Sequence, residues 1–390
     1  MSRVFEQAAA RAFTTDRITG LGPERAAAEF ALERAGILLP FQQRATWQRL
    51  DGSSSSILLI ARESAGPVGA ASLTIGNSRA LPGHKIYRVE RLASAALPGV
   101  NDALVSAIAA IGRRDLRCLR VVVDVFERSG EARRLLGRSL SRAGFEPAPV
   151  PRLYSQTAAI DLNRSEAEIF AGLHATARRH IRSALKHDLQ IRAIDRLEWA
   201  AQVRELSRTT FHRTGSSHQD PPWEGIIALS AEQPTVSRLV GVFAPQDLGG
   251  ETLVSYAWGV AHGSRAAYES GGSIRHPSLG NLPVGYAALW NLIVWARERT
   301  TASWFDLGGI TSTSDDDPRA GITRFKRYFS REVVDVGEEW RFAPHRARAA
   351  IASAVGGIAN WATERVDALR RSDHPVKPRP DSVSESSAPL

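Results

Sequence analysis

The apolar positions of this chain follow two spacings, and both recur in the same order twice. After a helical lead-in over about residues 3–35, "SSILLIAR", "PVGAASLTI" and "HKIYRVERL" are short apolar runs bounded by Gly, Pro and Ser, the pattern of a strand meander. "PGVNDALVSAIAAIG" has helical apolar spacing, "LRCLRVVVDV" reads as a buried strand, and "SGEARRLLGRSLSRAGF" as a helix closed by Gly144. The second half repeats this order. "VSRLVGVFA", "TLVSYAWGVA" and "SRAAYESGG" are strands, and "PVGYAALWNLIVWARER" is a helix with Pro283 near its first turn. "ASWFDLGG" is a strand, and a helix carries "ITRFKRYF".

Between the two, "SQTAAIDLNRSEAEIF" predicts a strand running into a helix capped by Asn163 or Ser165. The halves share the pattern without clear sequence identity, so the expectation is two copies of one αβ unit. The first domain spans 1–155, lead-in included, and the second 156–343. Residues 344–371 have the spacing of a basic amphipathic helix, and 372–390, "SDHPVKPRPDSVSESSAPL", is a Pro- and Ser-rich tail expected to be disordered.

Composition narrows this picture. A chain of 390 residues suits two cores, because one hydrophobic core rarely grows beyond about 250 residues. Cys118 is the only cysteine and lies in an apolar strand, which excludes a disulfide framework and fits a reducing, cytoplasmic setting. The N-terminus lacks the apolar region of a signal peptide, and no run reaches the roughly 18–20 apolar residues of a membrane span. The net charge of +9 favours anionic partners: nucleic acid, a phosphorylated substrate or an anionic membrane surface at the inner face. An Arg-rich solvated surface accounts for the same charge without any partner.

The sequence has no GxxxxGK[ST] loop, no HExxH, no paired CxxC and no GxSxG elbow, so neither ATP nor a metal is expected. His174, His180, His187, His212 and His218 cluster in sequence without a metal-ligand spacing. In "HATARRHIRSALKH", His174, Arg178, Arg182 and Lys186 recur every four residues and would form one basic helix face, suited to phosphates or simply to water. In "SWFDLGGITSTSDDDPRAGITRFKRYF", a strand ending at Asp306 meets Gly308 and Gly309, then a polar loop and a helix. That order puts backbone amides and a lysine at the mouth of a sheet. The lysine stands out, because of fifty basic residues only Lys85, Lys186, Lys326 and Lys377 are lysines. Phe325, Tyr328 and Phe329 surround Lys326 with aromatic bulk, which makes its placement specific, and a desolvated ammonium suits a developing oxyanion.

These residues resemble the Fem family of aminoacyl-tRNA-dependent transferases, which build peptidoglycan interpeptide bridges and have relatives in antibiotic assembly. "FDLGGI...GITRFKRYF" is similar to the family's C-terminal signature, and "LPFQQRATWQRL" to its early Gln-and-Trp motif. "RAGFEPAP...SQTAAIDLNRSEAEIFAGLHATARRHIRSALKHDLQI" looks like the junction between its domains, and "LSRTTFHRTG" like the helix that follows. The likeness covers roughly residues 38–340 and rests on the order of motifs that are individually weak. It departs in two places. "RTGSSHQDPPWEG" is too short for the family's coiled-coil insertion, and "ERLASAALPG" stands where an Arg-Gly-Pro-type segment is expected.

The resemblance implies an α/β fold of two tandem GNAT-like (acyl-CoA N-acyltransferase-like) domains with mixed central sheets. It implies Lys326 and Phe325 as the catalytic Phe-Lys pair, and Arg182, Arg178, Arg213, Trp47 and Arg49 as substrate contacts. It also implies aminoacyl-tRNA as co-substrate, no cofactor, and a peptide or muropeptide-type acceptor. Tyr268, Glu269 and Asp306, with Gly308 and Gly309, sit near the expected sheet mouth, and any of the first three could be the base that deprotonates the amine. Two other readings stand beside this one. An acyl-CoA-dependent N-acyltransferase would use the same fold, although "SIRHPSLGNLPVGY" lacks the usual [QR]xxGx[GA] pyrophosphate loop. A non-catalytic RNA-binding protein would need the basic surface and no particular lysine.

Overall fold

The computed structural model describes residues 13–355 apart from 54, 98, 150, 215–219, 246–250, 275–278, 281, 311–319 and 353. Its first half runs β1 (Thr14–Thr19), α1 (Pro23–Arg34), a 3₁₀ turn (Phe41–Gln43), α2 (Ala45–Leu50), β2 (Ser56–Glu63), β3 (Gly66–Asn77), β4 (Lys85–Leu92), α3 (Val100–Arg114), β5 (Cys118–Phe126), α4 (Gly130–Arg142) and β6 (Glu146–Pro147). The second half runs β7 (Gln156–Asp161), α5 (Glu166–Gly172), α6 (Ala175–Ala184), β8 (Gln190–Ala193), α7 (Ala200–Thr214), α8 (Trp223–Glu232), β9 (Ser237–Pro245), β10 (Glu251–His262), β11 (Arg265–Ser273), α9 (Gly285–Arg299), β12 (Trp304–Gly309), α10 (Ala320–Phe329), β13 (Val333–Asp335) and β14 (Gly337–Phe342).

The two sheets are built alike. One has the order β1-β2-β3-β4-β5-β14-β6, the other β13-β7-β12-β11-β10-β9-β8. In each, an antiparallel meander leads through a helix to a strand that lies parallel to the meander's last strand: β4 with β5, and β11 with β12. Such a parallel pair needs a crossover, and α3 and α9 supply it. Their apolar stripes pack on the sheets, Val105 and Ile108 in the first domain and Ala288, Leu292 and Ile293 in the second. Ser165 is the cap of α5, with a full capping box to Glu168.

Two expectations are corrected. The lead-in is not wholly helical, because Thr14–Thr19 pair antiparallel with β2, satisfying that strand's outer edge before α1 begins. The boundary at 343 also fails. Residues 337–342 return to the first sheet, where Glu339 lies opposite Asp124, and Trp340 joins the core formed by Val123 and Leu136. The edge of β5 thus takes a strand that follows the second domain in the chain. Of the C-terminal stretch expected to be a helix over 344–371, residues 346–352 and 354–355 are helical within the described residues, and the tail over 372–390 lies outside them.

The segment after α1 joins the two sheets. Gln43 accepts from Ser72 N at 2.8 Å and donates to Glu90 O at 2.6 Å, so its amide bridges β3 and β4 just beyond their last pair, Leu73 and Val89. Phe41 and Trp47 instead pack on the second domain, with ring centroids 6.5 Å and 5.5 Å from Trp258.

Candidate active site

Lys326 sits where β12 ends. The pairing of β12 with β7 slips between Asp306 and Gly309, and Gly308 adopts φ +79, a conformation that L side chains avoid. The missing side chain matters as much as the torsion, since a Cβ on Gly308 would lie 3.0 Å from Lys326 Nζ. The ammonium donates to Gly309 O at 2.8 Å. Burial pushes the lysine down to about 8, against the pull of the Asp306 and Glu269 charges. Phe325 does not line this spot. It packs against Tyr286 of α9 at 4.9 Å and Phe329 at 5.3 Å, and so fixes the rotation of α10 that turns Lys326 towards the glycines.

Asp306 is fully buried and saturated. Its Oδ1 accepts from Thr157 Oγ1 and Gly308 N, and its Oδ2 from Tyr154 OH at 2.9 Å and from Arg265 Nε and Nη2 at 3.0 and 2.7 Å. Burial alone would raise its carboxyl, but Arg265, Arg91 and these hydrogen bonds hold it below the usual range. Asp306 is therefore an anchor of the β12 turn rather than a substrate ligand or base, which corrects the sequence reading.

Arg91 reaches this anchor from the first domain. It is the only non-glycine residue with positive φ among the described residues, at φ 51, where the β4–β5 register breaks. Its guanidinium lies 4.6 Å from the Phe126 ring centroid, and its Nη1 donates to Tyr154 OH at 3.1 Å. An unbroken chain of donors thus runs from the first domain through Arg91 and Tyr154 to Asp306.

Tyr268 and Glu269, adjacent in β11, diverge. Tyr268 packs with the second-domain core, its hydroxyl seated where a Cβ on Gly271 would be, and burial pushes its phenol up. It is not available as a base. Glu269 faces the first domain instead, where Gln42 Nε2 donates to its Oε1 at 3.1 Å.

The remaining candidates lie elsewhere. Trp47 is a packing residue in the aromatic cluster with Phe41 and Trp258, not a substrate contact. Arg49 is exposed and donates to Leu21 O at 2.7 Å, which ties α2 to the turn before α1. The four-residue basic face is only partly formed. His174 is the N-cap of α6, accepting from Thr176 N, and Lys186 lies beyond the helix end. Arg178 donates to Ala171 O at 2.7 Å and Leu173 O at 2.6 Å, closing the end of α5, so its guanidinium is occupied by the fold. Arg182 is exposed, with its guanidinium carbon 5.2 Å from the Phe170 ring centroid. The side chain of Arg213 lies outside the described residues. His174 stacks on Tyr328 at 4.8 Å, which sets α6 beside α10.

The candidate site is thus Lys326, Gly308, Gly309, Asp306 and Glu269, all of which the sequence marked. To these the structure adds Arg91, Tyr154, Arg265 and Gln42. Of those four only Gln42 carried a signal, as part of "LPFQQ". Among the described residues, no group of three or more His, Cys, Asp or Glu side chains could hold a metal, and no helix is long and apolar enough to cross a membrane.

Residues 172–327, which include Lys326 and Glu269, match the family "Acetyltransferase (GNAT) domain". No curated protein matches the sequence. Among solved structures, FemX is similar at a TM-score of 0.66 and 14% identity, over 84% of this chain and 97% of that one. L-PGS from Bacillus licheniformis is similar at a TM-score of 0.50 and 11% identity, over 87% of this chain and 98% of that one. The duplicated sheet agrees with these likenesses: the chain has a Fem-like tandem GNAT fold, and the acetyltransferase match over 172–327 supports acyl transfer as its coarse chemistry.

Proposed function

We propose that this protein moves an aminoacyl group from aminoacyl-tRNA to an amine of a peptide-type acceptor, a peptidoglycan precursor or a peptide natural product. Neither ATP nor a metal is needed. The observation that carries this reading is the Lys326 ammonium, half-buried at the end of β12 and held on Gly309 O beside a residue without a Cβ. Aminolysis of an ester runs downhill, so the protein has two tasks: to hold the amine against the carbonyl and to stabilise the charge that develops on oxygen. The amine nitrogen forms the new C–N bond, and the bond to the terminal ribose oxygen of tRNA breaks. The ammonium loses two protons: one passes to a base and then to that oxygen, and the other, released as the amide forms, goes to solvent. A compact ammonium at low dielectric suits the oxyanion, and the planar fork of an arginine would not occupy the same position.

The basic surface supports a nucleic-acid donor. Exposed Arg179, Arg182 and Lys186 of the α6 region lie beside α10, which carries exposed Arg327, and the chain bears a net charge of +9. A lipid-linked acceptor would bring a cytoplasmic enzyme to the inner membrane face. A second reading, acyl-CoA as donor, is favoured by the acetyltransferase match over 172–327. The two separate in one assay. Purified protein receives radiolabelled aminoacyl-tRNAs or acetyl-CoA, with lipid-linked and nucleotide-linked muropeptides among the amine acceptors. Label transferred from tRNA supports the proposal, and label transferred only from CoA overturns it. Lys326→Met should abolish transfer while retaining tRNA binding; a variant that keeps normal transfer would remove Lys326 from the mechanism.

A further inference from the structure

Glu269 is the extra residue of a β-bulge. β10 and β11 pair Trp258 with Ser270 but Gly259 with Tyr268, so Glu269 has no residue opposite, and its side chain escapes the alternation of the strand. It meets the 3₁₀ turn of the first domain, where Gln42 Nε2 donates to Glu269 Oε1 at 3.1 Å. That bond fixes the amide's orientation and leaves its other end exceptional: Gln42 Oε1 is buried and has no hydrogen-bond partner among the described residues. A buried acceptor without a donor is unfavourable, and an incoming N–H group removes the penalty. The spot borders the lysine. Tyr268 O and Lys326 Nζ lie 3.5 and 3.0 Å from the position a Gly308 Cβ would take, so the backbone entering Glu269 flanks the ammonium.

We propose that Gln42 Oε1 and the Glu269 carboxylate form a binding site, shared between the two domains, for the primary ammonium of the acceptor, and that Glu269 takes its proton. An alkylammonium has three N–H donors, enough to satisfy both residues at once. Among the described residues, the other charged groups facing the site are Lys326 from α10, Arg91 from β4 and Asp306 from β12. Asp306 has no free capacity, being saturated by Thr157, Tyr154, Gly308 and Arg265. The two cations favour release of the proton, which leaves the nitrogen lone pair free to attack the ester carbonyl. That proton goes to Glu269 and from there to the departing ribose oxygen, and the second proton, lost by the nitrogen as the amide forms, goes to solvent. This chemistry rests on the acyl-transfer reading; the binding site does not.

Two measurements on the full chain test it. n-Butylammonium chloride is titrated into wild type, Glu269→Gln and Gln42→Leu and followed by ligand-observed NMR. Affinity at least tenfold weaker in both variants supports the site, and equal affinity in all three overturns it. In the transfer assay, n-butylamine is compared with methoxyamine, which is already unprotonated at neutral pH. Glu269→Gln should lose about 100-fold with n-butylamine, the scale of a general base, and less than about tenfold with methoxyamine. Equal losses with both amines would overturn the proton-accepting role. Residue-dependent binding without transfer to either amine would keep the site while overturning both the base and the acyl-transfer reading.

Discussion

Replacing Lys326 by Met should make the protein inactive yet no less stable at neutral pH, and the difference in stability should depend on pH. Burial holds the lysine at about 8 against its ordinary 10.5, so between those values the unfolded chain binds a proton that the folded chain does not. Below pH 8 both states are protonated, and the folded state bears the full desolvation penalty, about 3 kcal/mol from the shift. As pH rises through 8 and towards 10.5, that penalty fades and wild type gains stability relative to the variant. Evaluated for one group with these two values, the gain from pH 7 to pH 9.5 is about 2 kcal/mol. Loss of the 2.8 Å bond to Gly309 O offsets part of the variant's advantage at every pH, by about 1–3 kcal/mol, and does not alter the slope. Urea denaturation of both proteins at pH 7 and pH 9.5 measures it. The stability gap should move by about 2 kcal/mol in favour of wild type at the higher pH. A gap that stays constant would mean that the ammonium is solvated, and the argument for a buried oxyanion partner would fall. Wild-type transfer should also decline as pH rises through about 8, where Lys326 loses its charge.

Gly308→Ala forces an L residue to φ +79, costing about 1–2 kcal/mol, and puts a methyl 3.0 Å from Lys326 Nζ, so transfer should fall far more than the melting temperature. Asp306→Asn leaves Arg265 and Arg91 without their buried carboxylate and should cost about 3–5 kcal/mol in denaturant, with transfer lost as a consequence. Arg178→Ala should lower stability by about 1–2 kcal/mol by freeing two carbonyls, whereas Arg182→Ala should leave melting unchanged and reduce the salt slope of tRNA binding by about one. Burial raises the Glu90 carboxyl to about 7, a shift whose destabilising effect is absent below the ordinary carboxylate range and complete above pH 7. Glu90→Gln should therefore stabilise the protein by about 3 kcal/mol at pH 8 and by little at pH 4, as urea midpoints would show.

Periodicity alone determined the αβ repeat, because each strand and helix of the two units buries one face against its neighbour, and that requirement is written locally in "LRCLRVVVDV" or "PVGYAALWNLIVWARER". The lysine was legible for a different reason: a chain that uses arginine almost throughout keeps a lysine among aromatics, next to a strand ending in two glycines. Only the tertiary structure decided what each group near it does. Asp306, Glu269 and Tyr268 were equivalent candidates for the base, and burial, hydrogen-bond saturation and a one-residue bulge separated them, none of which has a local signature. Arg178 and Arg182 share a helical spacing, but the end of α5 claims the first and leaves the second exposed. The same limit explains β14, Arg91 and Gln42. A strand returns across some two hundred residues, an arginine bonds to the other domain, and an amide meets Glu269 across the junction; such contacts follow from how the two sheets dock, which no window of sequence contains.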